Sequence, residues 1–112
     1  MGAITRAIAN NLTNDLGGAG GINFKNILIN GDMSLAQRAT SVSSITGSGY
    51  NTVDRFRTNM GTAGTWTQSQ STDVPTGSGF RTSLKMDCTT ANVSLSAGSY
   101  LLIDQRVEGQ NL

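Results

Sequence analysis

Residues 54–60 read Asp54-Arg55-Phe56-Arg57-Thr58-Asn59-Met60, and their side chains alternate in character. In an extended chain, Phe56, Thr58 and Met60 fall on one face, while the arginine and asparagine side chains between them fall on the other. An alternation with a period of two residues is typical of a strand that buries one face. The stretch therefore predicts a β-strand.

Other parts of the chain show the same alternation or a short apolar run. Residues 39–49 are rich in Ser, Thr and Gly and are predicted to be a loop. The further candidate strands are Asn26–Asp32, which contains an Asn-Gly turn signal, Met33–Arg38, Thr65–Ser71 with Trp66, Gln68 and Gln70 on one side, the stretch with Leu84, Met86 and Cys88 on one face, and Tyr100–Val107. Five or six short strands separated by Gly/Ser turns predict a mostly β, antiparallel sandwich or barrel.

A helical pattern is found near the N-terminus. Ile4, Ile8, Leu12 and Leu16 recur every four residues and form one apolar stripe, which predicts a helix over residues 3–16. Isolated helices of this length are marginal in water, so we expect the stripe to dock on a partner surface.

A glycine-rich segment, 17–21, follows the helix and is expected to be a flexible hinge. This favours an anchoring or oligomerisation helix over one that folds back on its own domain. The predicted organisation is therefore an anchoring helix in residues 1–16, a linker over 17–25 and a β module over 26–112.

The composition limits the partners of the protein. The 112 residues fit a single domain, and charged residues make up 13% against a usual share of about 25%. A net charge of +1 supplies no basic field for nucleic acid. There is no apolar stretch long enough to span a membrane and no signal-peptide pattern at Met1, so we expect synthesis in a cytoplasm and no membrane insertion.

The sequence contains few residues that could carry catalysis. Histidine is absent and Cys88 is the single cysteine, which removes the usual general base, the usual zinc ligands and any internal disulfide. We therefore predict no enzymatic activity and no cofactor. A Ca²⁺ site built from Asp32 and Asp54 stays open as an alternative, and a glycosidase pair of Asp54 with Asp104 is not supported by its spacing.

Three aromatic residues are candidates for contact with a glycan. Trp66, Tyr50 and Phe80 could stack on sugar rings, because an aromatic face offers apolar area within a polar surround. The same side chains could equally belong to the core, and Trp66 in particular favours that interpretation because it lies on a predicted strand.

Several stretches of the chain form an ordered set. They are Asn26–Met33, Ala36-Gln37-Arg38, Tyr50–Phe56, Gln70–Pro75, Gly79-Phe80, Ser83-Leu84-Lys85 and Gln105–Leu112. Together they resemble a domain that recurs in virion proteins of tailed bacteriophages, with Ala39 where that family has Gly and Phe56 where it has Trp. The resemblance covers residues 26–112. It implies a jelly-roll-like domain similar to carbohydrate-binding modules. A jelly roll has about eight strands, so this chain would hold only the N-terminal part, or another chain would complete the sheet.

The resemblance also implies a function. It indicates a structural protein of the virion, either a tail-fibre or a head-decoration component, and does not distinguish between these two. The N-terminal helix would anchor the chain to other virion proteins. The β module would face outward, where it would contact host surface glycans, or would pack in a homotrimer. Two other functions stay open, a free carbohydrate-binding module and a small glycan hydrolase.

Overall fold

The structure is a computed structural model that describes residues 26–111. The predicted helix with Ile4, Ile8, Leu12 and Leu16, and the glycine-rich linker, lie outside these residues. Within them the chain is mostly β, as predicted. The elements are β1 (Ser41–Ile45), β2 (Arg57–Gly61), β3 (Thr65–Ser71), β4 (Ser83–Thr90), β5 (Tyr100–Asp104) and a short 3-10 helix (Gly109–Asn111).

The five strands of the described residues form two antiparallel sheets. β3 is the central strand of the first sheet and pairs with β1 and β4, while β2 and β5 form the second sheet. Gln68 of β3 lies opposite Val42 on one side and opposite Met86 on the other. Met60 of β2 lies opposite Leu101 of β5. The prediction of antiparallel β structure is therefore confirmed.

A small core is formed by residues of β1, of β2 and of the loop before β2. The buried apolar side chains of the described residues are Ile45, Val53, Phe56 and Met60. Thr58 is also buried, so the face predicted from the alternation of residues 54–60 is the buried one. Leu84 of β4 and Ile103 of β5 line one cavity, so both sheets contribute to its wall.

The prediction of strands over Asn26–Asp32 and Met33–Arg38 is wrong. Residues 29–32 form a turn, closed by a hydrogen bond of 3.0 Å from the Met33 N–H to the Asn30 carbonyl. Asn30 and Met33 both have a φ of 57°, in the left-handed region, and this turns the chain away from a ladder. The apolar run from Ile27 to Ile29 is exposed as a result.

The predicted loop over residues 39–49 contains a strand instead, β1. Val42 and Ile45 lie opposite Gln68 and Trp66, but the register shifts between them. Ser44 has a φ of 57°, which is the backbone of a β-bulge. The bulge places the two apolar residues three positions apart rather than two, and this hides the strand from a search for alternation.

Side-chain amides hold the segment before β1, residues 26–38, in place. The Gln105 amide pairs with Ile29 as a strand would, accepting from its N–H at 2.8 Å and donating to its carbonyl at 2.7 Å. The Gln70 amide donates to the carbonyls of Met33 and Ser34, at 2.7 and 2.9 Å. Strand β5 ends at Asp104 rather than at the predicted Val107, and the next residue is the one that bonds Ile29.

Candidate functional site

A cleft of about 600 Å³, the polar cleft, lies beside the loop before β2. A volume of this size is within the usual range for small-molecule sites, roughly 300–1,000 Å³. Its walls come from three segments that are distant in the sequence. They are Gln37 and Arg38; Tyr50, Asp54 and Arg55; and Arg106, Val107 and Glu108.

A network around Asn30 brings the first two segments together. The Asn30 side chain accepts a hydrogen bond from the Leu35 N–H at 2.9 Å and donates to the carbonyls of Leu35 and Asp54, at 2.9 and 3.0 Å. The Asp54 N–H donates to the Leu35 carbonyl, and the Asp54 carboxylate accepts from the Gln37 N–H at 3.1 Å. Asn30 therefore positions Asp54 and Gln37 without lining the cleft itself.

Arg38 and Tyr50 form a cation–π pair in the wall of the cleft. The Arg38 guanidinium lies over the Tyr50 ring, 5.7 Å from its centroid, which is within the range of a cation–π interaction. Tyr50 is 40% exposed, so part of its ring is open to the cleft. The contact places a positive charge beside that exposed part of the ring.

Arg55 has an unusual backbone for its residue type. Its φ is 74°, in the left-handed region that glycine and asparagine adopt most readily. A non-glycine residue there costs about 1–3 kcal/mol, and such residues concentrate at binding and active sites. Arg55 lines the polar cleft, so the strained position lies at the candidate site.

The charges of the polar cleft are mixed. Three arginines line it, Arg38, Arg55 and Arg106, and all three are exposed. Two carboxylates lie with them, those of Asp54 and Glu108. The Glu108 carboxylate also accepts a hydrogen bond of 2.7 Å from the Gln110 amide. The cleft thus offers cationic donors and anionic acceptors in the same space.

A second opening, the apolar cavity, has a volume of about 470 Å³. Phe80 and Ile103 contribute to its wall although they are 54% and 44% exposed. Most of the other residues that line it are apolar. They include Met33, Val74, Pro75 and Leu84. This cavity lies between the edge strand β4 and the second sheet, where the two layers are not closed.

The structure does not bring the three candidate glycan-contacting residues together. Tyr50 lines the polar cleft and Phe80 lines the apolar cavity. Trp66 lines neither; it is half-buried on β3, and its indole N–H donates to the Ala63 carbonyl at 2.8 Å. The anchoring residues Ile4, Ile8, Leu12 and Leu16 lie outside the described residues.

The three arginines of the polar cleft were not among the site residues predicted from the sequence. Each stands in a stretch that carries the resemblance, as Gln37-Arg38, Asp54-Arg55 and Gln105-Arg106. That recurrence of a polar residue followed by arginine was the available signal. The convergence of the three pairs depends on the network of Asn30 and on the bonds of Gln105, which the sequence does not display.

The carboxylates considered for metal binding or hydrolysis do not line one opening, because Asp54 lines the polar cleft whereas Asp32 and Asp104 line neither opening. The Asp32 carboxylate accepts hydrogen bonds from the N–H and the hydroxyl of Ser34, at 3.4 and 3.0 Å. Asp104 lies opposite Arg57 at the end of β5 and does not line the polar cleft with Asp54. In the part of the chain that the structure describes, His, Cys, Asp and Glu side chains form no group of three or more suited to a metal ion.

The structure also bears on membrane association. Across residues 26–111, no helix has the length and apolar character needed to cross a lipid bilayer.

Comparisons of the chain with protein-family models, with curated proteins and with solved structures found no match. The case for a function therefore depends on the geometry of the two openings and on the stretches that resemble the virion domain.

Proposed function

We propose that this chain is a non-catalytic structural protein of a tailed-bacteriophage virion, a tail-fibre or head-decoration component. In this proposal the N-terminal helix anchors it to other virion proteins, and residues 26–112 belong to a jelly-roll-like module that faces outward and contacts host surface glycans. The protein is made in the host cytoplasm and is found in the virion.

The observation that carries the proposal is the interlocking of the stretches that resemble the virion domain. Gln105 bonds Ile29 across 76 positions of sequence, and Asn30 bonds Asp54 across 24. Arg38 and Arg106, from the second and last of these stretches, line one cleft. Stretches that are bonded to each other in this way belong to one structural unit. This supports a resemblance to the whole virion domain rather than to separate short motifs.

The edges of the described sheets support an assembled state. β1 and β4 are edge strands of the first sheet and β5 is an edge of the second, whereas the side of β2 that faces away from β5 is bonded to Ser48 and Gly49. Exposed edges favour pairing with another chain unless they are protected. A jelly roll has about eight strands, so the five described here leave room for strands from elsewhere. We propose that further copies of this chain, arranged as a homotrimer, cover the open side.

A small glycan hydrolase is the second candidate, because Asp54 and Glu108 line the same cleft. Glycosidases use two carboxylates on either side of the scissile bond. Asp54, however, is bonded to the segment before β1 through its N–H, its carbonyl and its carboxylate. Those bonds explain why this residue stands there without a catalytic role, so we favour a binding module.

A pair of substitutions in the helix tests the proposal. Changing both Ile8 and Leu12 to Asp places two charges on the apolar stripe, and the chain should then be missing from purified particles. The matched control changes Asn11 and Asn14 to Asp on the opposite side of the predicted helix, and it should leave incorporation intact. Mass spectrometry of the particles gives the readout, with circular dichroism to check the β module. Equal incorporation of the two double variants would refute the anchor.

A further inference from the structure

The composition of the polar cleft indicates a class of ligand more specific than a glycan in general. The side chains available for contact are three exposed guanidinium groups, part of a tyrosine ring, one amide and two carboxylates. We infer that the polar cleft binds an acidic saccharide, a glycan unit that carries a carboxylate. The inference rests on the proposed function and adds to it the site and the ligand class.

The arginines explain why the ligand should carry a carboxylate. A guanidinium presents N–H donors in a planar fork that fits both oxygens of a carboxylate. Arg38 is restrained by its cation–π contact with Tyr50, so less rotamer freedom is lost when it binds. Arg55 is placed at the cleft by a strained backbone, which the protein maintains at a cost.

The two carboxylates explain why the rest of the ligand should be a saccharide. Asp54 and Glu108 are acceptors that suit the hydroxyl groups of a saccharide, and the exposed part of the Tyr50 ring can pack on the apolar face of a pyranose. The same two carboxylates would repel a ligand of high negative charge, such as a nucleic acid or a polyphosphate. A ligand with one negative charge and several hydroxyls matches both sets of groups.

Two pairs of probes test the inference on the full-length chain by isothermal titration calorimetry. The first pair is galacturonate, which has one carboxylate, and its methyl ester, in which that group is neutral. The second pair is sialyllactose, which also has one carboxylate, and its methyl ester. We expect one or both acidic members to bind at least tenfold more tightly than their neutral partners. The pair that shows the difference identifies the source of the carboxylate, a uronic or a sialic acid.

Variants assign the binding to the cleft. Arg106→Gln removes one exposed guanidinium and should weaken binding of the acidic probe by roughly tenfold or more, as expected for a lost hydrogen bond to a charged group. Arg38→Gln is the second variant and should act in the same direction. Arg81→Gln removes an exposed arginine that does not line either opening, and it should leave binding unchanged. A urea unfolding curve for each variant checks that the fold is retained.

Three results would overturn the inference. They are equal binding of charged and neutral probes, absence of binding to all four probes, and unchanged binding in both cleft variants. None of these results affects incorporation into particles, which is measured with the helix variants. A chain that enters the virion but shows no preference for acidic sugars would remove the inference and leave the structural role intact.

Discussion

The polar cleft and the apolar cavity have similar volumes, about 600 and 470 Å³, but their walls are built differently. The segments around the polar cleft are tied to each other by the side chains of Asn30, Asp54 and Gln105. The wall of the apolar cavity includes Phe80 and Ile103, which remain about half exposed. Volume alone would rank the two openings as equals.

This difference in the walls distinguishes a preorganised binding site from an apolar surface that is only partly buried. Polar groups that are already fixed around an open space favour ligand binding, because little conformational entropy is lost when they become immobilised. Half-exposed apolar groups favour packing against a partner, because their burial contributes about 25 cal/mol of favourable free energy per Å² of apolar surface. We infer a ligand for the polar cleft and propose that another copy of the chain covers the apolar cavity.

The largest change in stability is expected from Asn30→Ala, which removes the network that shapes the polar cleft. Three hydrogen bonds are lost at about 0.5–1.5 kcal/mol each, and alanine tolerates the left-handed backbone of this position poorly. We expect the free energy of unfolding to fall by about 2–4 kcal/mol in urea titrations. Binding of an acidic saccharide should be lost together with it.

The control for that substitution is Asn26→Ala. Asn26 is exposed, and its side chain accepts a single hydrogen bond, from the N–H of Leu28 at 3.0 Å. The same change of residue type should cost less than about 1 kcal/mol there. If the two variants were equally stable, the wall of the polar cleft would not depend on Asn30, and the contrast with the apolar cavity would lose its basis.

A pair of glutamines on β3 tests the inner face of the first sheet. Gln68 is 1% exposed, and neither polar atom of its amide has a hydrogen-bond partner among the described residues. Gln70, two positions on, donates to two carbonyls of the segment before β1. We expect Gln68→Met to raise the free energy of unfolding by about 1–2 kcal/mol and Gln70→Met to lower it by about 1–3 kcal/mol.

The sign of the Gln68→Met effect carries the information. Gln68 lies opposite Met86 of the adjacent strand β4. Leu84 is two residues before Met86, on the same face of β4, and lines the apolar cavity. A loss of stability would show that the Gln68 amide is satisfied in solution by a group that enters between the sheets. The first sheet would then hold a polar site of its own, separate from the wall of the apolar cavity, which Gln68 does not line.

Much of the sheet could be predicted from the sequence, because its strands follow simple alternation. Residues 65–71 coincide with β3, and the buried face of β2 was identified correctly. β1 was missed because the bulge at Ser44 interrupts the alternation. The run from Ile27 to Ile29 was taken for a strand because an apolar run indicates burial, whereas here a left-handed turn at Asn30 leaves the run exposed.

The candidate site was predicted only in part. Tyr50 was selected for its aromatic ring and lies in the polar cleft, whereas Trp66 and Phe80 lie elsewhere. A single residue type can be selected from sequence by its chemistry. The grouping of Arg38, Arg55 and Arg106 depends on hydrogen bonds between distant segments, and no local pattern reports such bonds.

The smallest change in stability is expected from Phe80→Ser in the apolar cavity. Phe80 is 54% exposed, so its removal should cost the isolated chain less than about 1 kcal/mol. Its effect on assembly should be larger, because a half-exposed aromatic ring that fills a partner's surface is typical of the residues that dominate an interface. We expect the association constant of the oligomer, measured by sedimentation velocity, to fall about tenfold or more.

Leu95→Ser is the matched control for Phe80→Ser. Leu95 is 65% exposed and does not line the apolar cavity. It also removes an exposed apolar side chain, so a general loss of surface hydrophobicity would lower association in both variants. A fall that is confined to Phe80→Ser would locate the contact at the apolar cavity. Equal effects, or none, would mean that this opening is not where copies of the chain meet, and the homotrimer proposed here would need a different interface.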